Sequence, residues 1–123
     1  MSTRVATRPR RAVAIPAARI KGCCQPVAAP IPAEQAGELA ALHRAMADET
    51  RLQMLHMLKS APEPICVCDF TAAFDLAQPT VSHHLARLRD AGLVTSFKRG
   101  IWAFYRIADD LSPAAAAALR LVP

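Results

Sequence analysis

The sequence predicts a mainly helical domain carrying one small β-hairpin. Three observations support this class. Apolar residues recur at helical spacing in separate stretches of the chain. Prolines and glycines punctuate those stretches where helices start and stop. Toward the C-terminal end, two extended runs rich in β-branched and aromatic residues flank the basic turn Lys98-Arg99-Gly100.

The chain has 123 residues, 53% of them hydrophobic, and a formal net charge of +5. That is enough for one domain with a modest core, and too apolar for a disordered chain. The positive balance points to a polyanion as partner. Nucleic acid and an anionic membrane both fit that charge; no apolar run approaches the roughly 18 residues that span a bilayer, and no membrane partner is expected.

Residues 1–32 read as a flexible basic arm. Arg4, Arg8, Arg10, Arg11, Arg19 and Lys21 lie there, with no acidic residue before Glu34. Pro9, Pro16, Pro26, Pro30 and Pro32 interrupt any long helix. Residues 33–123 read as one domain. Ala33 to Met46 is a helix opened by Pro32 and Glu34. Asp48 can cap a second helix, in which Leu52, Leu55 and Leu58 form a buried stripe flanked by Met54 and Met57. Pro62 and Pro64 end it.

A short helix follows from Val67 to Phe74, then a turn, Asp75-Leu76-Ala77-Gln78, and a helix opened by Pro79 that runs to about Ala91. Val81, Leu85 and Leu88 share one face of it, and Gly92 stops it. The extended runs are Leu93–Phe97 and Ile101–Ile107. In the second, Trp102 and Phe104 share a face with Arg106, and Ala103, Tyr105 and Ile107 share the other. Ser112 and Pro113 open a final Ala-rich helix.

Helix, tight turn, helix and basic-tipped hairpin, in that order, make a winged helix-turn-helix. A helix fits the major groove of DNA, and residues at its N-terminal end reach base edges. The candidate contacts are Gln78, Thr80, Ser82, His83 and Arg87 on the helix, with Lys98 and Arg99 at the hairpin tip. Gln78 to Arg106 contains five basic residues and one acid, Asp90. Double-stranded operator DNA is the expected partner. His84 flanks the apolar face and is expected to be packed and hydrogen-bonded instead.

The run Ile65-Cys66-Val67-Cys68-Asp69-Phe70, the run Ala77 to Leu85 (A-Q-P-T-V-S-H-H-L), Gly92-Leu93-Val94 and the hairpin Lys98 to Arg106 (K-R-G-I-W-A-F-Y-R) together resemble the ArsR/SmtB metalloregulators. The resemblance covers roughly residues 34–112. It implies a homodimer with the first and last helices at its interface, and a repressor that holds its operator until an inducer binds. It implies no enzymatic activity. The sequence likewise has no C-x-x-C pair, Gly-rich phosphate loop, H-E-x-x-H motif or convincing acid/base pair.

Four cysteines remain: Cys23, Cys24, Cys66 and Cys68. No apolar signal segment is present, so the reducing cytoplasm is the expected compartment, where close-spaced thiols bind metal or react more often than they form bridges. Cys66 and Cys68 sit at a helix start, where thiol pKa values are expected to fall. Thiolates select soft ions. In arsenic-responsive members of the family that this stretch resembles, another cysteine follows three residues after the second. Here that residue is Thr71. Cys23 and Cys24 can supply the missing ligand, as N-terminal cysteines do in some of those relatives. Three thiolates suit As(III) or Sb(III), and four suit Cd, Pb or Zn. The resemblance favours arsenite. Thiol oxidation or persulfide formation is the alternative signal. The final helix has no His, Asp or Glu from Ala114 to Ala118, so the family's other metal site is not expected.

Overall fold

The computed structural model describes residues 24–123. The remainder of the expected basic arm, with Cys23, lies outside the described residues. Those that are described fall into two compact units, 24–39 and 40–123. The elements in order are α1 (Ala33–Met46), α2 (Glu49–Ser60), β1 (Ile65–Cys66), α3 (Val67–Phe74), α4 (Gln78–Asp90), β2 (Val94–Arg99), β3 (Trp102–Ile107) and α5 (Pro113–Leu119).

Local chemistry sets most of these boundaries. The Pro32 carbonyl accepts the Ala36 N–H at 3.0 Å, which opens α1. Asp48 is extended (φ −155°, ψ 128°), and its carboxylate accepts the Arg51 N–H at 2.9 Å, capping α2. Asp75 ends α3 in the left-handed conformation (φ 54°, ψ 44°), which Asp tolerates better than most residues. Gln78 already belongs to α4, so the turn is Asp75 to Ala77 and Pro79 lies in the first helical turn. Gly92 (φ +80°) stops α4, and the Leu93 N–H reaches back to the Leu88 carbonyl at 3.0 Å. The Ser112 hydroxyl accepts the Ala115 N–H at 3.1 Å and opens α5. Lys59 of α2 donates to the Leu119 carbonyl at 2.7 Å and to that of Val122, satisfying the last turn of α5.

Within residues 40–123 the core is built under α4. Val81, Leu85 and Leu88 are fully buried against Phe70 of α3 and Met54 and Leu55 of α2, with Leu93 and Val94 closing one end. Each such side chain contributes about 1.5–3 kcal/mol by leaving water. The α2 stripe differs from expectation. Met54 is fully buried beside Leu55 and Leu58, whereas Leu52 is 38% exposed. Positions 54, 55 and 58 make a helical face as coherent as 52, 55 and 58, and packing onto α4 selects the former. Leu52 turns instead to an apolar cleft of about 680 Å³ that it shares with His43, Met46, His56, Ala118 and Leu121.

The sheet has three antiparallel strands in the order β1-β3-β2. The sequence indicated only two. β1 adds the pairs Ile65↔Tyr105 and Cys66↔Phe104. The hairpin also runs further than its turn residues suggested. Lys98 pairs with Ala103 and Arg99 with Trp102, leaving a two-residue turn of Gly100 (φ +67°) and Ile101. Positive φ at the first turn position is what a primed hairpin turn requires, and Gly supplies it without strain.

Leu85→Ala should destabilise the protein by about 2–5 kcal/mol in chemical denaturation, the range for a leucine truncated in a packed core. Asp48→Ala should cost about 1 kcal/mol at neutral pH. The Arg51 N–H, and then the Arg51 charge, hold the Asp48 carboxyl below its ordinary range despite partial burial. A depressed folded-state value gives stability that is present above the ordinary carboxylate range and lost as pH falls through the folded value. The gap in melting temperature between wild type and variant should therefore narrow below pH ~4.

Candidate nucleic-acid interface and thiol pair

α4 has two faces. Its apolar side is buried, while Thr80, His83 and Arg87, at spacings of three and four, are exposed on the opposite side. Gln78 is exposed in the first turn and Ser82 is half-buried beside the exposed face. Lys98 and Arg99 are exposed near the hairpin tip. All seven predicted contact residues therefore lie at the surface, on the two elements that a winged helix-turn-helix presents to a duplex. Arg89 and Arg106, counted in the basic tally, are engaged by Asp90 at 3.5 Å and Asp109 at 2.9 Å. Of the five cations from Gln78 to Arg106, Arg87, Lys98 and Arg99 thus remain outside these ion pairs.

The hairpin holds Arg99 in place. Phe97 and Phe104 are cross-strand partners whose rings stack at 5.6 Å and 15°. The Arg99 guanidinium lies over both, 5.5 Å from one centroid and 5.2 Å from the other. Cation–π attraction restricts the side chain while leaving its N–H edge accessible.

α4 is also fixed from behind. Arg51 donates through Nε to the Ala45 carbonyl at 2.6 Å, through Nη1 to His84 Nδ1 at 3.0 Å and through Nη2 to the Arg44 carbonyl at 3.3 Å. His84 is packed and hydrogen-bonded, as expected, with the Asp48 carboxylate 4.0 Å away. Arg51 was not singled out from sequence. Its only local signal is its position three residues after the cap.

The thiols sit where β1 becomes α3. Cys66 is extended (φ −76°, ψ 148°) and caps α3, its N–H donating to Asp69 Oδ2 at 3.2 Å. Side chains two apart on a regular helix diverge by about 200°, but the change from strand to helix brings these two together. The Cys68 thiol donates to Cys66 Sγ at 3.0 Å. With metal–sulfur bonds of about 2.3 Å, two sulfurs on one atom stand roughly 3.3–3.8 Å apart. A small opening of this pair would seat a soft atom. Thr71 does not replace a third sulfur, because its hydroxyl donates to the Cys68 carbonyl at 2.8 Å. Among the described residues no group of three or more His, Cys, Asp or Glu side chains is placed to hold a metal ion. Cys24 is exposed within the unit 24–39.

One electrostatic expectation is corrected. The Cys68 pKa is raised, because its hydrogen bond to Cys66, partial desolvation and the nearby Asp69 carboxylate all favour the protonated thiol. These outweigh the helix start.

Fold and surface together define a winged helix-turn-helix domain. Residues 48–96, from the α2 cap into β2, match the sequence profile of the bacterial regulatory proteins of the arsR family. An HTH-type transcriptional regulator from Methanocaldococcus jannaschii is 40% identical over 77 residues, which cover 63% of this chain and 85% of that one. The chain belongs to the arsR family. The arsenical resistance operon repressor of Escherichia coli is 46% identical over 66 residues, covering 54% of this chain and 56% of the repressor. The chain spans about half the length of the curated arsenic regulators that it matches first. Among solved structures, the homodimeric winged helix-turn-helix DNA-binding domain of a possible ArsR-family regulator from Mycobacterium bovis superposes with a TM-score of 0.62 at 29% identity, covering 73% of this chain and 79% of that one. No helix among the described residues is long and apolar enough to cross a membrane.

The thiol geometry makes a prediction. Cys68 is exposed and Cys66 is 6% exposed, so an alkylating reagent should modify Cys68 before Cys66. Cys66→Ala removes the main cause of the raised Cys68 pKa, so alkylation of Cys68 at fixed neutral pH should accelerate. Mass spectrometry of time-quenched samples measures both, and equal rates at the two positions would contradict the geometry.

Proposed function

We propose that this chain is a cytoplasmic transcriptional repressor that binds operator DNA as a homodimer and releases it when As(III) or Sb(III) is captured by cysteine sulfur. The observation that carries the reading is the Cys66–Cys68 sulfur pair, 3.0 Å apart and paired by its own strand to the hairpin of the DNA-facing surface. The ligands are Cys66 and Cys68 with one or both of Cys23 and Cys24, brought by a basic arm of residues 1–32. As(III) arrives as a hydroxide. Each As–S bond replaces an As–O bond, each thiol proton leaves with the hydroxide as water, and arsenic keeps its oxidation state. Four sulfurs would favour Cd, Pb or Zn instead. Oxidation of the close-set thiol pair by a peroxide to a disulfide, with reduction of the peroxide to water, or its persulfidation by sulfane sulfur from a polysulfide, is a second reading of the same sulfurs.

DNA contact is assigned to Gln78, Thr80, Ser82, His83 and Arg87 in the major groove and to Lys98 and Arg99 at the hairpin. The two-fold partner is proposed to cover the cleft around Leu52, Ala118 and Leu121, which accounts for an apolar residue, Leu121, left 85% exposed in the protomer. The relatives support this reading: the Escherichia coli protein is an arsenical resistance operon repressor and the Mycobacterium bovis domain is homodimeric.

A mobility-shift assay of the metal-free protein on the DNA upstream of its own gene tests the proposal. Arsenite or antimonite should weaken binding about 5- to 150-fold, the range of typical allosteric couplings. Cys66→Ser and Cys68→Ser should abolish the response while DNA binding persists, and Cys23→Ser with Cys24→Ser should weaken it. Release by arsenite from both single variants, Cys66→Ser and Cys23→Ser, would defeat the thiol assignment. Peroxide without arsenite should leave repression intact, and release by peroxide alone would transfer the reading to thiol oxidation. Lys98→Ala and Arg99→Ala should each lower affinity at every sequence and reduce the slope of log affinity against log salt by about 1.

A further inference from the structure

The hairpin tip carries two residues that neither the thiol switch nor the major-groove contacts use. Ile101 is 83% exposed and Trp102 is 52% exposed. Ile101 lies in the two-residue turn and Trp102 follows it as the first residue of β3, at the most basic part of the hairpin. No acidic residue lies between 91 and 108, and the third cation there, Arg106, is neutralised by Asp109. Arg99 and Trp102 are register partners, so their side chains leave the same face of the hairpin, above the stacked Phe97 and Phe104. The tip therefore presents a large aromatic and a branched aliphatic side chain beside two cations, on a base made stiff by ring stacking and cation–π contact. Apolar groups held in water on a rigid support mark a contact surface. The charge around them selects a polyanion.

We infer that Ile101 and Trp102 form a wedge that enters the minor groove beside the site read by α4. This rests on the DNA-binding reading above. With α4 in the major groove, a hairpin joined to its C-terminal end by Gly92 and Leu93 reaches across the phosphate backbone toward the neighbouring groove. Lys98 and Arg99 then meet phosphates, and Arg99 faces the groove whose potential attracts arginine. Apolar side chains inserted at a base step unstack it partly and bend the duplex. The chain would thus discriminate flanking steps by how easily they deform, at positions where it makes no hydrogen bond to a base. The selected flank is a flexible pyrimidine–purine step rather than a stiff G·C run.

The chain has a single tryptophan, Trp102, so its fluorescence reports the tip alone. The wild type is titrated with duplexes from the DNA upstream of its own gene, carrying 2-aminopurine in the flank, with either a TA step or a G·C run there. The expected result is a change in Trp102 emission with reduced acrylamide quenching, a rise in 2-aminopurine emission as the step opens, and tighter binding to the TA flank. Trp102→Ala should still shift DNA but on the order of 10-fold more weakly, the size seen when a base-stacking aromatic is removed. It should lose the flank preference, and Trp102→Phe should restore part of it. Circular dichroism melts confirm that the variants fold. Normal DNA binding with Trp102 emission and quenching unchanged overturns the wedge and leaves the DNA-binding reading standing. Failure to shift any duplex at low salt overturns both. A Trp102 response to phosphatidylserine vesicles but not to duplex overturns the wedge in favour of a lipid surface.

Discussion

Two backbone pairs, Ile65↔Tyr105 and Cys66↔Phe104, hold the proposed thiol site to the hairpin proposed to contact DNA. Tyr105 is buried in the core, and Phe104 stacks on Phe97 and supports Arg99. Cys66 is therefore at once one sulfur of the close thiol pair, the cap of α3 and a rung of the sheet that ends in the hairpin tip. Two paths of contact lead away from this residue. One runs through α3 to α4, which share the Phe70–Val81–Leu85 core. The other runs through β3 to the aromatic platform under Arg99. Neither path requires a long chain of intermediaries, because both begin at one residue.

The sequence reveals the helices well because their boundaries are local chemistry. α1 and α3 have the limits that Pro32, Met46, Val67 and Phe74 suggested, and Asp48, Gly92 and Ser112 act where capping rules place them. β1 was illegible. Two residues cannot display a period of two, and the strand exists only because β3, some forty residues away in sequence, offers it a partner. The exchange of Leu52 for Met54 in the core has a similar origin, since periodicity identifies candidate faces and tertiary packing chooses between them.

The candidate site divides in the same way. Residues whose role is to be exposed and polar on α4 could be read directly, because the buried stripe of Val81, Leu85 and Leu88 fixes the opposite face. The close approach of Cys66 and Cys68 could not, since it depends on the change from extended to helical backbone between them. The direction of the Cys68 pKa shift follows from that approach and was misjudged from helix position alone. The Arg51 contacts join residues from α1, α2 and α4, a convergence that no local spacing announces.

Those contacts constrain how this protein can change shape. A guanidinium that spends its Nε and both Nη groups on acceptors from two helices other than its own works as a three-way bracket, which a lysine ammonium on a single flexible stem could not reproduce. With that bracket behind α4 and the core beneath it, the helix has little room to slide against the rest of the domain. The proposed loss of fit to DNA then calls for tilting the hairpin or turning the domain as an intact body. A response of that kind leaves the domain's interior undisturbed, so sensitivity to a signal can be tuned without endangering the fold.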